Sequence, residues 1–248
     1  MKNSHAMNIK LLWPVAILLL WACGDPPLDY VDLAAYQAEE ARLAEEARQS
    51  LKAFTDYRDG NVYRQVTIGT QTWMAENLNY ETASSWCYND ATSNCTTYGR
   101  LYTWASAMDS AGTWSTNGKG CGYGSICSPT YPVRGVCPSG WHLPTWAEFE
   151  TLFTAVGGSS TAGTMLKSQS GWNGSGNGTD AFGFSALPAG YRNSGGSFNY
   201  QGYDASFWSS SERGSGYAYR MDLDYDGDYA TLNDKYKNRA RSVRCLRD

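Results

Sequence analysis

The residues of this chain best suited to chemistry are its seven cysteines, because a thiol can bind a metal, form a disulfide, act as a nucleophile or be modified. The sequence contains no CxxC pair, and His142 is the only histidine after the N-terminal region. Protein zinc sites usually combine such pairs with histidines, so the sequence disfavours zinc. An odd number of cysteines indicates that one of them has a separate role.

Cys23 has a setting unlike the other cysteines. It ends the run Leu20-Trp21-Ala22-Cys23, after Lys10 and about a dozen apolar residues, which is typical of a secretion signal. The apolar stretch is shorter than the roughly 20 residues that a membrane-spanning helix needs. The run resembles a bacterial lipoprotein signal, which implies that Cys23 is acylated and becomes the mature N-terminus. The alternative is an ordinary signal peptide with an incidental cysteine, and Met7 rather than Met1 is an alternative start.

The other six cysteines would be exported to an oxidising compartment, where three disulfides are the natural expectation. Six cysteines allow 15 pairings, so the sequence alone leaves the connectivity open. The favoured pairing closes two short polar loops and joins the middle of the chain to its C-terminus: Cys87 with Cys95, Cys121 with Cys127, and Cys137 with Cys245.

Three aspartates near the C-terminus invite a calcium hypothesis. Asp222, Asp224 and Asp226 match the opening of an EF-hand loop, although Ala230 and Asn233 stand where later ligands are expected. Apolar and aromatic residues alternate with these aspartates, which predicts a half-buried strand entering an Asp-Gly hairpin turn, with the carboxylates on its exposed face. We expect the hairpin, keep structural calcium as the alternative, and expect no other cofactor.

Catalytic residues are harder to assemble. His142 lies between Cys137 and a predicted helix, where a buried hydrogen-bonding role is expected, and any Ser/His/Asp centre would depend on it. Glycoside hydrolysis needs two carboxylates facing one cleft, and the sequence does not single out such a pair. We therefore expect a binding protein rather than an enzyme.

Aromatic residues set among Asn, Asp, Ser and Gly are typical of sugar-binding surfaces, because a flat ring stacks on a pyranose while short polar groups bind its hydroxyls. Most rings must nevertheless be core, since aliphatic residues are sparse; this applies to Trp73, Trp104, Trp141 and Trp146. The candidates for ligand contact are Trp86, Tyr88, Trp114, Trp172, Tyr191, Tyr200 and Tyr203. Aromatic loops also bind proteins, so a protein partner stays open.

The segments that must position these residues differ sharply in composition. Residues 1–22 are predicted to be the signal peptide, 23–30 a linker, 31–54 a helical stalk and 55–248 one domain. The stalk is rich in Ala, Glu, Arg and Leu and has no Gly or Pro. Its thin apolar face favours a solvated helix, with a short coiled coil as the alternative; the face consists of Leu43, Ala47, Leu51 and Phe54.

Within the domain, Val62–Ile68 and Gln71–Met74 are predicted to form a hairpin. One helix is predicted around Tyr98–Met108, and a second begins at the capping box Thr145-Trp-Ala-Glu148. Phe149, Leu152 and Phe153 form the expected buried stripe of the second helix. Much of Ser168–Tyr203 is predicted to be loop.

Six segments together resemble the Fibrobacter succinogenes major paralogous domain, and the resemblance spans nearly all of residues 56–248. The segments are Gly69–Tyr80, Tyr98–Trp104, Cys137–Thr145, Phe182–Arg192, Phe207–Ser211 and Ser242–Leu246. The resemblance implies an exported, compact, loop-rich α+β domain, akin in pattern to the C-type-lectin-like and formylglycine-generating-enzyme folds, with no established reaction. Oxidase chemistry of the latter kind would need free reactive cysteines, whereas Cys245 is more simply a disulfide cysteine.

Net charge and export together narrow the expected partners. A net charge of −4 and a pI near 5.2 provide no basic surface for phosphates, so we expect no nucleic-acid partner. We expect a lipid-anchored outer-membrane protein, facing the periplasm or the cell surface, that recognises polysaccharide or another surface protein. The alternative is an enzyme related to formylglycine-generating oxidases or a glycan-active hydrolase. The oligomeric state stays open.

Acylation of Cys23 is directly testable by mass spectrometry of the protein from its native cells. The residues before Cys23 should be absent and the cysteine should carry fatty acyl groups. Cys23→Ser removes the thiol, so this variant should leave the membrane fraction, because the acyl chains provide the attachment. Recovery of an intact, unacylated leader would contradict the lipoprotein hypothesis.

Overall fold

The computed structural model of the protein describes residues 35–42 and 53–248, which belong to two compact units divided after Glu45. In the first unit, residues 35–42 form an exposed helix (α1). An ion pair joins Arg42 to Glu39 at 2.6 Å, as expected for residues three apart on one helix. Within the described residues, no helix has the length and apolarity needed to cross a membrane.

Several predictions concern residues outside the described ranges. These are the signal peptide at 1–22 with Cys23, the linker at 23–30, and stalk residues 31–34 and 43–52, which include Leu43, Ala47 and Leu51.

Residues 53–248 form an α+β domain of short helices and antiparallel sheets, which confirms the predicted α+β class. The strands are β1 Ala53–Thr55, β2 Val62–Ile68, β3 Gln71–Met74, β4 Ser85–Trp86, β5 Leu101–Thr103, β6 Trp141–His142, β7 Tyr191–Arg192, β8 Phe198–Asn199, β9 Asp204–Glu212, β10 Tyr217–Asp224, β11 Ala230–Tyr236, β12 Ala240–Arg241 and β13 Leu246–Arg247. The helices are a 3-10 turn at Tyr88–Asp90, α2 Thr92–Tyr98, α3 Trp104–Ala107, α4 Trp146–Ala155 and α5 Ser159–Leu166.

The strands form three sheets, in the orders β1-β2-β3-β13-β6, β4-β5-β12-β7-β8 and β9-β10-β11. The C-terminal segment connects all three. Strand β13 lies between β3 and β6, and β12 lies between β5 and β7. Ser242, between these strands, forms a parallel bridge with Phe207 of β9. A chain end that would otherwise fray is therefore paired on several sides.

The stalk prediction is wrong at its C-terminal end. Ala53 and Phe54 belong to strand β1, in which Phe54 pairs with Tyr63 of β2. The Phe54 ring stacks on Trp141 with 4.4 Å between ring centroids. The helical spacing of Phe54 was coincidental, because a large ring gains more by burial in the domain core than on a solvated helix. The domain thus includes Ala53 rather than beginning at residue 55.

Two predicted elements with local signals are confirmed. Strands β2 and β3 pair as a hairpin, with Gly69 at the turn in the left-handed region (φ +60°). At the start of α4, the Thr145 hydroxyl accepts the Glu148 N–H, and the Glu148 carboxylate accepts the Thr145 N–H. The predicted stripe of α4 is buried: Phe149, Leu152 and Phe153.

The helix predicted over Tyr98–Met108 is wrong in its bounds. Helix α2 ends at Tyr98, strand β5 follows, and only Trp104–Ala107 is helical again. Gly99 causes the break: its φ is +70°, and a Cβ there would lie 2.9 Å from the Asn77 carbonyl oxygen. Only glycine combines this backbone conformation with so close an approach.

Tryptophans are prominent in the core: Trp73, Trp104 and Trp141 are buried, as predicted, whereas Trp146 is partly exposed, so its predicted core position is wrong. Trp73, Trp104 and Trp208 are fully buried. The indole N–H of Trp104 donates to the Ser209 carbonyl, and that of Trp208 donates to the Tyr102 carbonyl, both at 2.8 Å. A buried indole needs such a partner, so these bonds fix each ring in one orientation.

The three disulfides have the favoured pairing: Cys87–Cys95, Cys121–Cys127 and Cys137–Cys245. They differ greatly in loop length. Cys121–Cys127 spans 6 residues, whereas Cys137–Cys245 spans 108 and connects the C-terminal segment to the middle of the domain.

Replacing both cysteines of each bridge by serine should reveal this difference. In the loop-entropy account, the Cys137–Cys245 bridge contributes on the order of 4 to 5 kcal/mol to the free energy of unfolding and the Cys121–Cys127 bridge about 2 kcal/mol. Urea unfolding of the two double variants and the parent chain measures both values. Equal losses for the two bridges would contradict the expectation.

Candidate functional site

A cleft of about 370 Å³ opens between two segments of the domain. One wall consists of residues 80–84, before β4. The other consists of α3 and residues 109–114, the turn and loop that follow it. Trp114 is the one predicted ligand-contact residue that lines this cleft.

Two aromatic rings form a corner of the cleft. The rings of Tyr80 and Trp114 meet edge to face, with 5.4 Å between centroids and an interplanar angle of 86°. Both side chains are partly exposed. The Arg58 guanidinium lies 4.0 Å from the Tyr80 ring centroid and 5.1 Å from that of Trp114. An ion pair of 2.6 Å with buried Asp56 holds Arg58 in place, so the corner is supported from behind.

Asp109 fixes the loop that carries Trp114. This residue is in the left-handed conformation (φ 54°), which Asp adopts more readily than most residues. Its buried carboxylate accepts three consecutive backbone N–H groups, those of Thr113, Trp114 and Ser115, at 2.9, 2.6 and 2.9 Å. Arg134 donates to the Trp114 carbonyl at 2.8 Å. The backbone of Trp114 is therefore held at both its N–H and its C=O.

Hydroxyl and carboxylate groups surround the aromatic corner. The Thr82 hydroxyl of one wall and the Ser106 hydroxyl of the other are hydrogen-bonded at 2.6 Å, and Ser110 lies on the same wall as Ser106. The Glu81 carboxylate is largely exposed and pairs with Arg100 at 2.6 Å. The cleft thus combines ring faces and edges with short polar groups, the combination that binds sugar hydroxyls and pyranose faces.

The segments that suggested a family contribute strands to all three sheets. They include the β2–β3 turn, the start of α4 and the C-terminal strand β13. The family model described as the Fibrobacter succinogenes major domain matches residues 66–247. The chain belongs to this family. Comparison with curated proteins and with solved structures found no match. Both rings of the cleft corner, Tyr80 and Trp114, lie within the matched family domain.

Two of the predicted ligand-contact residues of the family domain are buried, so those predictions are wrong. Trp172 is 5% exposed, and its indole N–H donates to the Ser168 hydroxyl at 3.0 Å and to the Ala186 carbonyl at 3.1 Å. Tyr88 is 8% exposed and packs against Phe198. Both residues lie in loop-like sequence, but here the loops fold over their own rings and bury them.

The remaining predicted aromatics are accessible but lie outside the cleft lining. Tyr191 and Tyr200 stack with 5.8 Å between ring centroids. Tyr203 packs edge to face on Tyr225, and Trp86 is partly exposed beneath the Arg192 guanidinium. The cleft also contains two residues that sequence reasoning missed, Tyr80 and Asp109. Tyr80 stood inside a family motif, and no local spacing connects it with Trp114.

The calcium candidates occupy the predicted hairpin of β10 and β11. Asp222 is buried and forms an ion pair with Arg220, so the prediction of an exposed row of carboxylates is wrong there. At the turn, the buried Lys167 ammonium donates to the Asp224 carbonyl at 3.0 Å and to the Gly227 carbonyl at 2.9 Å. Asp226 is exposed. Within residues 35–42 and 53–248, no three metal-binding side chains group together.

His142 has the predicted buried hydrogen-bonding role. It is 5% exposed, and its Nδ1 and Nε2 lie 2.7 Å from Asp248 and 3.0 Å from Glu148, respectively. Burial lowers the pKa of His142, but the hydrogen bonds and charges of both carboxylates outweigh burial and raise it. Burial raises the pKa of Glu148, yet its bonds to His142 and Thr145 lower it overall. The imidazole therefore joins the start of α4 to the last residue of the chain.

This pairing should make stability depend on pH. Because folding raises the pKa of His142, protonated His142 stabilises the domain below its ordinary pKa of 6.5, and this contribution is lost as pH rises through the folded-state pKa. Because folding lowers the pKa of Glu148, ionised Glu148 stabilises the domain above its ordinary pKa of 4.5, and this contribution is lost as pH falls through the folded-state pKa. His142→Gln should therefore lower the free energy of unfolding most at about pH 5.5, by about 1 kcal/mol, and least near pH 9. Urea unfolding at both pH values tests this, and a loss that grows with pH would refute it.

Proposed function

We propose that this protein is a lipid-anchored cell-envelope protein whose family domain binds polysaccharide in the Tyr80–Trp114 cleft. The observation that carries this proposal is the aromatic corner, in which a partly exposed tryptophan is held rigidly among hydroxyl groups. Ring stacking gives affinity for a pyranose face, and surrounding hydroxyls and carboxylates supply orientation.

The support of the corner favours recognition of a fixed ligand shape. Asp109 and Arg134 hold the Trp114 backbone, and Arg58 holds the Tyr80 ring. Groups that are already ordered lose little conformational entropy on binding, so more of the interaction energy appears as affinity. With a volume near 370 Å³, the cleft is at the small end of ligand pockets and suits a short segment of a longer chain.

The charges of the cleft favour a neutral sugar. The charges at the cleft are already paired within the protein. Glu81 pairs with Arg100, Arg58 pairs with Asp56, and the Asp109 carboxylate accepts three backbone N–H groups. A cleft whose charges are paired in this way provides no counterion for an anionic sugar, so a neutral sugar suits it better.

The cellular placement rests on the N-terminal sequence. We propose a signal peptide at 1–22, acylation of Cys23, a linker at 23–30 and a helical stalk from residue 31 that presents the domain from the outer membrane, toward the periplasm or the cell surface. The three disulfides support export, because such bonds persist in oxidising compartments. The helical conformation of residues 35–42 supports the stalk.

A C-type-lectin-like arrangement is the finer fold proposal for the domain. Its support is a C-terminal strand that pairs with β3 near the start of the domain, a disulfide from the residue just before that strand to the middle of the chain, and long loops between short strands.

A surface protein is the second candidate partner. The small disulfide loop between Cys121 and Cys127 exposes Tyr123 (55%) and Ile126 (77%). Exposed apolar side chains on a constrained loop are typical of protein contacts.

For the enzyme alternatives, the oxidase chemistry relied on a free thiol at Cys245, and this residue is bonded to Cys137.

Glycan binding by the full chain in detergent provides the test, first on a glycan array and on insoluble cellulose, then by calorimetry with the glycans that bind. Trp114→Ala should weaken binding about tenfold or more, because a central tryptophan usually carries much of the binding energy of a site. Trp114→Phe should retain part of it, since a ring remains.

Trp146→Ala is the matched control, because Trp146 is also partly exposed but packs on Tyr219 away from the cleft. It should bind like the parent chain. If the parent chain binds neither the glycan array nor insoluble cellulose, or if Trp114→Ala binds as well as the parent chain, the cleft is ruled out as a polysaccharide site.

A further inference from the structure

A row of four accessible tyrosines crosses two sheets, away from the Tyr80–Trp114 cleft. Tyr200 (59% exposed) stacks on Tyr191 of β7, and Tyr217 of β10 pairs with Tyr236 of β11 with 4.4 Å between ring centroids. Arg239 connects the two pairs: its guanidinium carbon lies 5.6 Å from the Tyr191 ring centroid and 5.7 Å from that of Tyr236. We call these five residues the tyrosine row. None of them lines the cleft.

The cations of this region lack carboxylate partners of their own. Arg239 and the nearby Lys235 are partly exposed, and within residues 53–248 neither forms a salt bridge. Burial lowers the pKa of Lys235, and the charges of Arg220, Arg241 and Arg239 lower it further. The single carboxylate Asp234 acts in the opposite direction and raises the pKa of Lys235, so three arginines and one carboxylate act on this ammonium.

Two buried arginines beneath the row contribute to this excess. Arg220 is 8% exposed and Arg241 is 1% exposed, and both donate to the same Ser206 hydroxyl, at 3.1 and 2.6 Å. The Nε atoms of both arginines are buried without a hydrogen-bond partner in the described part of the chain. Arg241 lies 5.0 Å from the Tyr191 ring centroid, directly under the row. Burial, before any other cause, lowers the pKa of Arg220 to about 8 and that of Arg241 to about 10.

The carboxylates of the region act on other cations than Arg239. Asp222 pairs with Arg220, and Asp234 pairs with Arg213 at 2.6 Å. Asp204 interacts with Arg241, Arg220 and Lys235, and Asp234 also interacts with Lys235. Within residues 53–248, Arg239 is thus the cation of the tyrosine row that has no carboxylate in an ion pair, in a chain whose net charge is −4.

We propose that the tyrosine row is a second binding surface and that its ligand is an acidic polysaccharide. Pyranose faces would stack on the exposed rings of Tyr200 and Tyr236, and a uronate carboxylate between the two tyrosine pairs would accept hydrogen bonds from Arg239. The row consists of four flat rings and a cation, and it contains no aliphatic side chain. Such a surface suits a chain of negatively charged sugar rings better than it suits an apolar protein surface. The open row can accept an extended chain, whereas the cleft fits a short neutral segment.

Calorimetric titration of the full chain in detergent with polygalacturonate tests this proposal. The same polymer with its carboxylates methyl-esterified is the ligand control, because it keeps the sugar backbone and loses the charge. The protein should bind the acid form, bind the ester at least about tenfold more weakly, and lose affinity with added salt, since the charges are exposed.

Arg239→Gln removes the charge and keeps much of the side chain, so it should weaken binding of the acid form about tenfold. Tyr200→Asn should also weaken it, and asparagine tolerates the left-handed backbone at this position (φ 66°). Arg64→Gln is the matched control, because Arg64 is an exposed arginine outside the row; it should bind like the parent chain.

Three results would overturn the proposal. The first is no binding of polygalacturonate, including a case where the row binds a protein instead, and the second is equal binding of the acid and the ester. The third is an equal loss of polygalacturonate affinity in Arg64→Gln and Arg239→Gln, which would indicate unspecific attraction. Trp114→Ala, which tests the cleft, should leave polygalacturonate binding unchanged, so the two proposals fail or succeed separately.

Discussion

The structure depends on the placement of the C-terminal segment inside the domain. Arg244 is fully buried, packs against the Phe184 ring and donates hydrogen bonds to the Asn77 side chain and to the Phe184 carbonyl. The next residue, Cys245, is bonded to Cys137, and its carbonyl accepts the Met74 N–H at 3.0 Å. A buried guanidinium is tolerated only where its donors find acceptors, so this segment fixes the loops around it. The three sheets share this segment, and the cleft walls are attached to two of them.

Buried cations also order the loops of a domain that has few aliphatic side chains. The Lys237 ammonium forms an ion pair with Glu212 and donates to the carbonyls of Gly122 and Ser125, at 3.2 and 2.9 Å. These bonds hold the small disulfide loop against the core. Lys167 does the same for the β10–β11 turn. Because loops are fastened by charges and disulfides, aromatic rings can remain partly exposed without loss of order, as Trp114 does in the cleft.

The sequence predicted the features that have short-range or compositional signals. The β2–β3 hairpin and the capping box at Thr145 follow from residue types close together in sequence, the number of disulfides follows from the number of cysteines, and the family follows from its motifs. The same reasoning failed where long-range contacts decide. Phe54 continues a helical pattern but stacks on Trp141, and Trp172 lies in a glycine-rich loop but is buried. The corner of Tyr80 and Trp114 had no sequence signal, because it depends on how two separate loops pack.

A crystal structure of the full chain with a bound neutral oligosaccharide would decide whether the cleft binds polysaccharide. A pyranose face should stack on the Trp114 ring, with sugar hydroxyls hydrogen-bonded to groups on the walls of the cleft. An oligosaccharide bound elsewhere, with the Tyr80–Trp114 cleft filled only by water, would contradict the proposal.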